Sequence, residues 1–317
     1  MFASYLKFRI FGVPLSAAVL ALALVASTAA PATAAQPKQK SFSSPDEAAA
    51  ALVAAAQSGD KKNLLAVLGP EATKLGSGDP VQAKHEREQF VAAYQEKHEV
   101  VKEGDGRATL VVGKNDWPLP IPLVKAGDGW QFDTAAGREE ILNRRIGQNE
   151  LYTIQVLLAL VDAQREYAAV DRNGDGLLEY AQKFVSSKGK KDGLYWPVSE
   201  GEPPSPMGDL VANAVQEGYS RKGGKPAPYW GYYYRLLTAQ GKDAPGGAYS
   251  YLAKGKMFGG FAIVAYPAKY GGSGVMSFMV SHDGVVYQKD LGPGTAQTAV
   301  KMSTFNPDAS WKRVAKD

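Results

Sequence analysis

The chain has no cysteine, and this excludes disulfides, thiol nucleophiles and thiolate metal sites. Histidine is scarce, with three in 317 residues. Charge of one sign is not in marked excess, because 36 basic and 32 acidic residues give a formal net charge of +4. That balance is not the strongly basic footprint of a nucleic-acid-binding protein. We therefore expect no nucleic-acid partner and a fold that is stabilised by its hydrophobic core.

Long apolar runs are missing after the first 35 residues, and the run within them has the pattern of a secretory signal peptide. Lys7 and Arg9 precede an apolar segment at 10–25, and small residues follow up to Ala34 and Ala35. A positive start, an apolar stretch and a small-residue site indicate export and cleavage near Ala34/Ala35. A retained membrane anchor is the alternative. Cleavage predicts a periplasmic or secreted protein with no membrane span.

The sequence predicts helices followed by strands in the first half of the mature chain. Ser44, Pro45 and Glu47 form a capping signal at the start of the first helix. Helices are predicted over 45–57, 61–68 and 81–98, and strands over 108–112, 118–124 and 130–133. This order resembles the small α+β roll of nuclear-transport-factor-like modules.

The second half begins with a helix and continues as an antiparallel sheet. Apolar residues recur at helical spacing over 135–169. Strands are predicted over 231–240, 259–267, 275–281 and 285–290, with Asp283-Gly284 as a hairpin turn. The fold class is therefore α+β. The predicted divisions are a signal peptide at 1–35, a disordered spacer at 36–43, a nuclear-transport-factor-like module at 44–137 and a long helix plus antiparallel sheet module at 138–317.

A stretch rich in Asp, Asn and Gly after the long helix has the spacing of a calcium loop. Oxygen-bearing side chains fall at positions one, three and five, and Gly176 follows at position six, where such loops turn sharply. Position twelve is Gln182 and not the bidentate Glu of an EF-hand. The alternative is a plain Asx-Gly turn. Ca²⁺ is the only cofactor indicated, with these ligands: Asp171, Asn173, Asp175, the Leu177 carbonyl and Glu179.

The densest aromatic stretch of the chain lies at the start of the second sheet. Strand alternation predicts that Trp230, Tyr232 and Tyr234 share one face and that Tyr229, Tyr233 and Arg235 share the other. Such a face can stack on a sugar or a peptide. The alternative is that these side chains pack in a half-buried sheet.

Candidates for catalysis are few. His282 precedes Asp283, and a His-Asp pair can serve as an oriented base, but no nucleophile motif accompanies it. The alternative is an ordinary turn histidine. Four acidic residues in the loops between helix and sheet are candidates for an acidic patch: Glu179, Asp192, Glu200 and Glu202.

Four longer runs carry a family resemblance: 132–141, 192–197, 231–235 and 283–292. On these runs the chain resembles a bacterial exported family that is catalogued as a domain of unknown function (the 2950 family). The resemblance implies export and no established activity, so it assigns no catalytic residue. The second half is also weakly similar to pseudopilin heads, in which a helix packs on an antiparallel sheet.

We expect from this a non-catalytic envelope protein that binds or scaffolds a protein, peptide or glycan partner. The first alternative is a periplasmic hydrolase or isomerase that uses a pocket in the roll or the acidic loops. The second alternative is a structural subunit of a pilin-like assembly.

Overall fold

The computed structural model describes residues 38–217, 219 and 227–315. The predicted signal peptide lies outside the described residues. The helices are α1 Pro45–Ser58, α2 Lys61–Leu68, a 3-10 helix Pro70–Leu75, α3 Pro80–Glu96, α4 Thr134–Ala168, α5 Gly208–Gln216 and α6 Thr295–Lys301. The strands are β1 His98–Lys102, β2 Arg107–Val112, β3 Trp117–Pro118, β4 Leu123–Ala126, β5 Gly129–Phe132, β6 Tyr232–Leu237, β7 Ala239–Gln240, β8 Tyr249–Ser250, β9 Leu252–Ala253, β10 Lys256–Met257, β11 Ala262–Pro267, β12 Met276–Ser281, β13 Val286–Asp290, β14 Thr304–Phe305 and β15 Lys312–Arg313.

Helices α1 and α2 each begin directly after a residue whose side chain caps the helix. The Ser44 side chain accepts the backbone N–H of Glu47, and Pro45 occupies the first turn of α1. The Glu47 carboxylate accepts the backbone N–H of Ser43 at 2.8 Å, so the predicted capping box closes one residue earlier than expected. Asp60 caps α2 in the same way.

The first sheet is antiparallel in the order β1-β2-β4-β5, and β3 pairs with the end of β2. Helix α1 packs on this sheet, and the first core includes Leu52, Leu123 and Phe132. Helices followed by an antiparallel sheet are therefore present, as the sequence predicts. Two details differ. Strand β1 was not predicted, and the single strand expected over 118–124 is two strands separated by a loop.

Residues 38–43, part of the predicted disordered spacer, are packed against the first sheet. Phe42 is buried and exchanges backbone hydrogen bonds with Trp130. The Gln39 side chain donates to the carbonyls of Val67 and Phe132, at 3.1 Å and 2.8 Å. Burial of Phe42 and these bonds hold the segment in place, which its polar composition did not indicate.

Helix α4 contributes to both halves of the fold. It runs unbroken for 35 residues, through Gly147, and is about 50 Å long at 1.5 Å per residue. Its first part packs on the first core through Ile141. Its second part packs through Leu157 and Leu160 on the second core.

The second core lies between α4 and an antiparallel sheet in the order β15-β13-β12-β11-β6. Strand β11 is buried along its whole length. The predicted hairpin at Asp283-Gly284 joins β12 to β13, with Gly284 in the left-handed region at φ 75°. The α+β class is confirmed. The described residues belong to one compact unit. Among the described residues, no helix is both long and apolar enough to cross a membrane.

Candidate functional site

A recess of about 400 Å³ opens to solvent between α3, the first part of α4 and the β2–β3 end of the first sheet. Its interior is mainly apolar and is formed by Phe90, Ala93, Val112, Leu119 and Ile141. Recesses of roughly 300–1,000 Å³ with an apolar lining and few polar groups are the usual form of small-molecule sites.

The lining includes three charged side chains, two of which neutralise each other. The Arg145 guanidinium donates to both oxygens of Glu86, from Nε at 2.8 Å and from Nη2 at 2.7 Å. Its Nη1 donates to the Leu75 carbonyl. The Arg145 side chain is only 9% exposed, so this pair fixes α3 against α4. Glu86 is therefore bound on both oxygens and is not a free base.

Arg144 and Trp117 form one wall of the recess. The Arg144 guanidinium carbon lies 5.2 Å from the centre of the Trp117 ring. Arg144 Nε donates to Glu140 at 2.6 Å. Among the described residues, the terminal nitrogens Nη1 and Nη2 of Arg144 have no hydrogen-bond acceptor. Trp117 is 41% exposed, which is unusual for so large an apolar side chain. The recess thus has an apolar interior and a guanidinium at its rim.

The predicted aromatic surface is divided between the core and a separate cluster. Tyr232 is fully buried, and its hydroxyl donates to the Met276 carbonyl at 2.9 Å. Tyr234 is part-buried, and its hydroxyl lies 3.4 Å from Thr153 of α4. These two side chains therefore pack beneath α4 and offer no stacking face.

Tyr229 and Trp230 precede β6 and lie where the two halves of the fold meet. Trp230 has a positive φ of 47°, so it does not continue the strand alternation. Its ring stacks on His85 at 6.1 Å, and its Nε1 donates to Glu217 at 3.0 Å. The Tyr229 ring contacts Tyr152 of α4. Their mutual contacts make this cluster a junction between α3, α4 and the second sheet.

The Asp171 loop is a tight turn that the Asp171 carboxylate holds. The Asp171 carboxylate accepts the N–H groups of Gly174 and Gly176, each at 2.8 Å. These bonds hold the pKa of Asp171 below its ordinary value, the Gly176 bond having the largest effect. Gly174 and Gly176 have positive φ. The backbone turn therefore forms from the loop's own oxygens.

The predicted ligands do not converge on an open position. The Lys256 ammonium, on β10, contacts Asp175 and lies 3.3 Å from Glu179 Oε1. Asn173 donates to Glu179 at 2.7 Å. No group of three or more acidic or imidazole side chains is arranged to hold a metal ion within 38–217, 219 and 227–315. As folded, a lysine neutralises the two carboxylates that calcium would need.

The other catalytic candidates are His282 and the acidic residues of the loops. His282 Nε2 lies 3.7 Å from Asp283 Oδ1, beyond hydrogen-bond distance. Its Nδ1 is buried without a partner in the described part of the chain. Asp192 pairs with Lys183, and Glu179 pairs with Lys256. Asp192 and Glu179 therefore each bind a lysine, and the hydrolase or isomerase alternative stays a prediction.

The sequence predicted a pocket in the roll as one alternative, but it identified none of the residues that line the recess. Phe90 and Ala93 stand three residues apart on α3, and Ile141, Arg144 and Gln148 follow a helical spacing on α4. The spacing showed which side chains share a face of each helix. It did not show that these two faces and Trp117 meet.

Comparisons with known proteins give one match. Neither the search of curated proteins nor the search of solved structures found a similar one, so the likenesses to pseudopilin heads and to nuclear-transport-factor rolls stay predictions. The family match extends from the packed segment before α1 to the end of β15, and thus includes both cores and the recess. The chain belongs to the family described as Protein of unknown function (DUF2950), which it matches over residues 39–314.

Proposed function

We propose that this protein is an exported, non-catalytic binding protein that takes a ligand into the recess between α3, α4 and the first sheet. The observation that supports it is an apolar recess of about 400 Å³ on the protein surface, with Trp117 41% exposed at its wall. Exposed apolar surface costs free energy in water, at roughly 25 cal/mol per Å². A ligand that covers this surface recovers that free energy.

The export part of the proposal rests on the sequence of the first 35 residues. Sequencing the amino terminus of the protein in an envelope fraction tests it directly. We expect the chain to begin near Gln36. An intact terminus in a cytoplasmic fraction would contradict export.

Filling the recess tests the binding site. Ala93 lines it from α3, whereas the neighbouring Ala92 is exposed and does not line it. We expect the wild-type protein to bind a neutral apolar probe such as 2-naphthalene-ethanol. Ala93→Phe should weaken that binding at least about tenfold, because the added phenyl ring takes up space in the recess that the probe would occupy. Ala92→Phe, the same change on the same helix, should leave it unchanged.

Titration calorimetry measures the affinities, and thermal unfolding shows whether each variant is folded. A wild-type protein that binds no apolar probe would contradict the proposed site. Equal loss of binding in the two variants would contradict it as well.

Calcium binding at the Asp171 loop is a second candidate, and one contact favours it. Asp175 and Glu179 already hold a cation, the ammonium of Lys256. We propose that Ca²⁺ replaces that ammonium, with oxygens from Asp171, Asn173 and the Leu177 carbonyl completing its surroundings.

A further inference from the structure

The interior of the recess selects for an apolar ligand body. Five of its lining residues present only carbon to a ligand: Phe90, Ala93, Val112, Leu119 and Ile141. The volume of about 400 Å³ is near the lower end of the range for small-molecule sites. A protein partner needs about 800 Å² on each side, far more than this recess provides. One small molecule is therefore the occupant that fits.

The polar groups at the rim select for an anion. Glu86 and Arg145 are satisfied by each other, and Arg145 also by the Leu75 carbonyl. Glu140 accepts from only one nitrogen of Arg144. A guanidinium donates hydrogen bonds and accepts none, so the two terminal nitrogens of Arg144, on a side chain that is 43% exposed, are available to an acceptor on a ligand. A carboxylate matches them in charge and in its two-oxygen geometry.

Trp117 holds that guanidinium in position. The ring lies beneath the Arg144 guanidinium at 5.2 Å, a cation–π arrangement that restricts an otherwise flexible side chain. The exposed ring also offers a planar surface next to the apolar interior. An aromatic ligand body can therefore stack on Trp117 while its acid group reaches Arg144.

We infer that the ligand is a small amphipathic carboxylate, with an apolar, ring-bearing body in the recess and its acid group on Arg144. This inference rests on the proposed function, because it assumes that the recess is the binding site. It adds the chemical class of the ligand and names Arg144 as the residue that determines it.

A matched pair of ligands tests the charge. 2-Naphthylacetate and 2-naphthalene-ethanol share their ring system and differ in the acid group. By titration calorimetry we expect the wild-type protein to bind the acid about tenfold tighter, since a charge-assisted hydrogen bond to an exposed arginine is worth about that factor. Arg144→Gln should bring the ratio close to one, chiefly by weakening the binding of the acid.

Arg107→Gln is the matched control. Arg107, at the start of β2, is also an exposed arginine in an ion pair, here with Glu103, and it does not line the recess. The acid-to-alcohol ratio of this variant should equal that of the wild-type protein.

The outcomes separate the two proposals. If both probes bind equally and Arg144→Gln changes nothing, the carboxylate inference is overturned while the binding site stands. If neither probe binds, the proposed function fails as well. A short peptide that ends in phenylalanine is a third arm. If it binds more than about tenfold tighter than the free acid, a chain end is the occupant, and the inference of a small free acid is overturned.

Discussion

Asp79 is one of the single residues that hold the two halves of the fold together. It is 1% exposed and accepts four hydrogen bonds. Its Oδ1 caps α3 through the N–H groups of Val81 and Gln82. Its Oδ2 accepts the Tyr219 hydroxyl at 2.9 Å and the Gly231 N–H at 3.0 Å. Burial, and then this carboxylate, raise the pKa of Tyr219, so that its hydroxyl stays a donor.

Replacing Asp79 therefore tests the junction. We expect Asp79→Ala to lower the free energy of unfolding by roughly 3 kcal/mol, because it removes a helix cap and leaves buried donors without an acceptor. Tyr219→Phe removes one of the four bonds and also the bond that the Trp230 N–H donates to the Tyr219 hydroxyl, so it should cost about 2 kcal/mol. Urea unfolding measures both changes. A loss below about 1 kcal/mol for Asp79→Ala would contradict this role.

Asp192 gives the protein a predictable response to acid. The Lys183 ammonium, and then bonds from Ser187, lower the pKa of Asp192 to about 2 from 3.8. The carboxylate is thus more acidic in the folded than in the unfolded chain. Its stabilisation is complete above about pH 4 and is lost as the pH falls towards 2. Since its side chain is 31% exposed, we expect Asp192→Asn to cost only about 1 kcal/mol at pH 7.

Unfolding of the wild-type protein and of Asp192→Asn at several pH values measures this. The difference in unfolding free energy should shrink between pH 4 and pH 2. A difference that stays constant over that interval would show that the Lys183 pair contributes nothing.

Among the elements, the loop that follows α4 offers the calcium test. If Ca²⁺ competes with the Lys256 ammonium, Lys256→Met should increase the rise in melting temperature that calcium produces. Asp175→Ala should remove that rise, because it takes away a ligand common to both states. Lys254→Met, a substitution in the neighbouring turn, is the control. Equal melting temperatures with calcium and with chelator in all variants would remove the calcium proposal.

The elements also show what local sequence determines. The predicted starts of α1 and α2 are confirmed, since each helix is capped by the side chain just before it, Ser44 and Asp60. The predicted hairpin at Asp283-Gly284 is confirmed as well. Strand β1 was missed because it is an edge strand with charged residues, and its polar sequence continues that of α3. Pro120 and Pro122 lie between β3 and β4, where a proline cannot donate a backbone hydrogen bond to a sheet. The alternating apolar residues around them led to the prediction of one continuous strand.

At the scale of the whole molecule, tertiary contacts decide which side chains of a sequence pattern are buried and which are exposed. The aromatic run at β6 predicted a binding face, yet Tyr232 lies in the core because α4 covers that side of the sheet. The recess arises from the opposite effect. Phe90 and Trp117 remain accessible because α3, α4 and the sheet end diverge around them. Neither result follows from spacing along the chain, since the contributing segments are far apart in sequence.

A crystal structure of the protein soaked with 2-naphthylacetate tests the central claim most directly. The account predicts the naphthyl ring in the recess beside Phe90 and Trp117, with the carboxylate at hydrogen-bond distance from Arg144. A recess without the ligand in crystals that hold it elsewhere, or a ligand whose acid group points away from Arg144, would contradict the account.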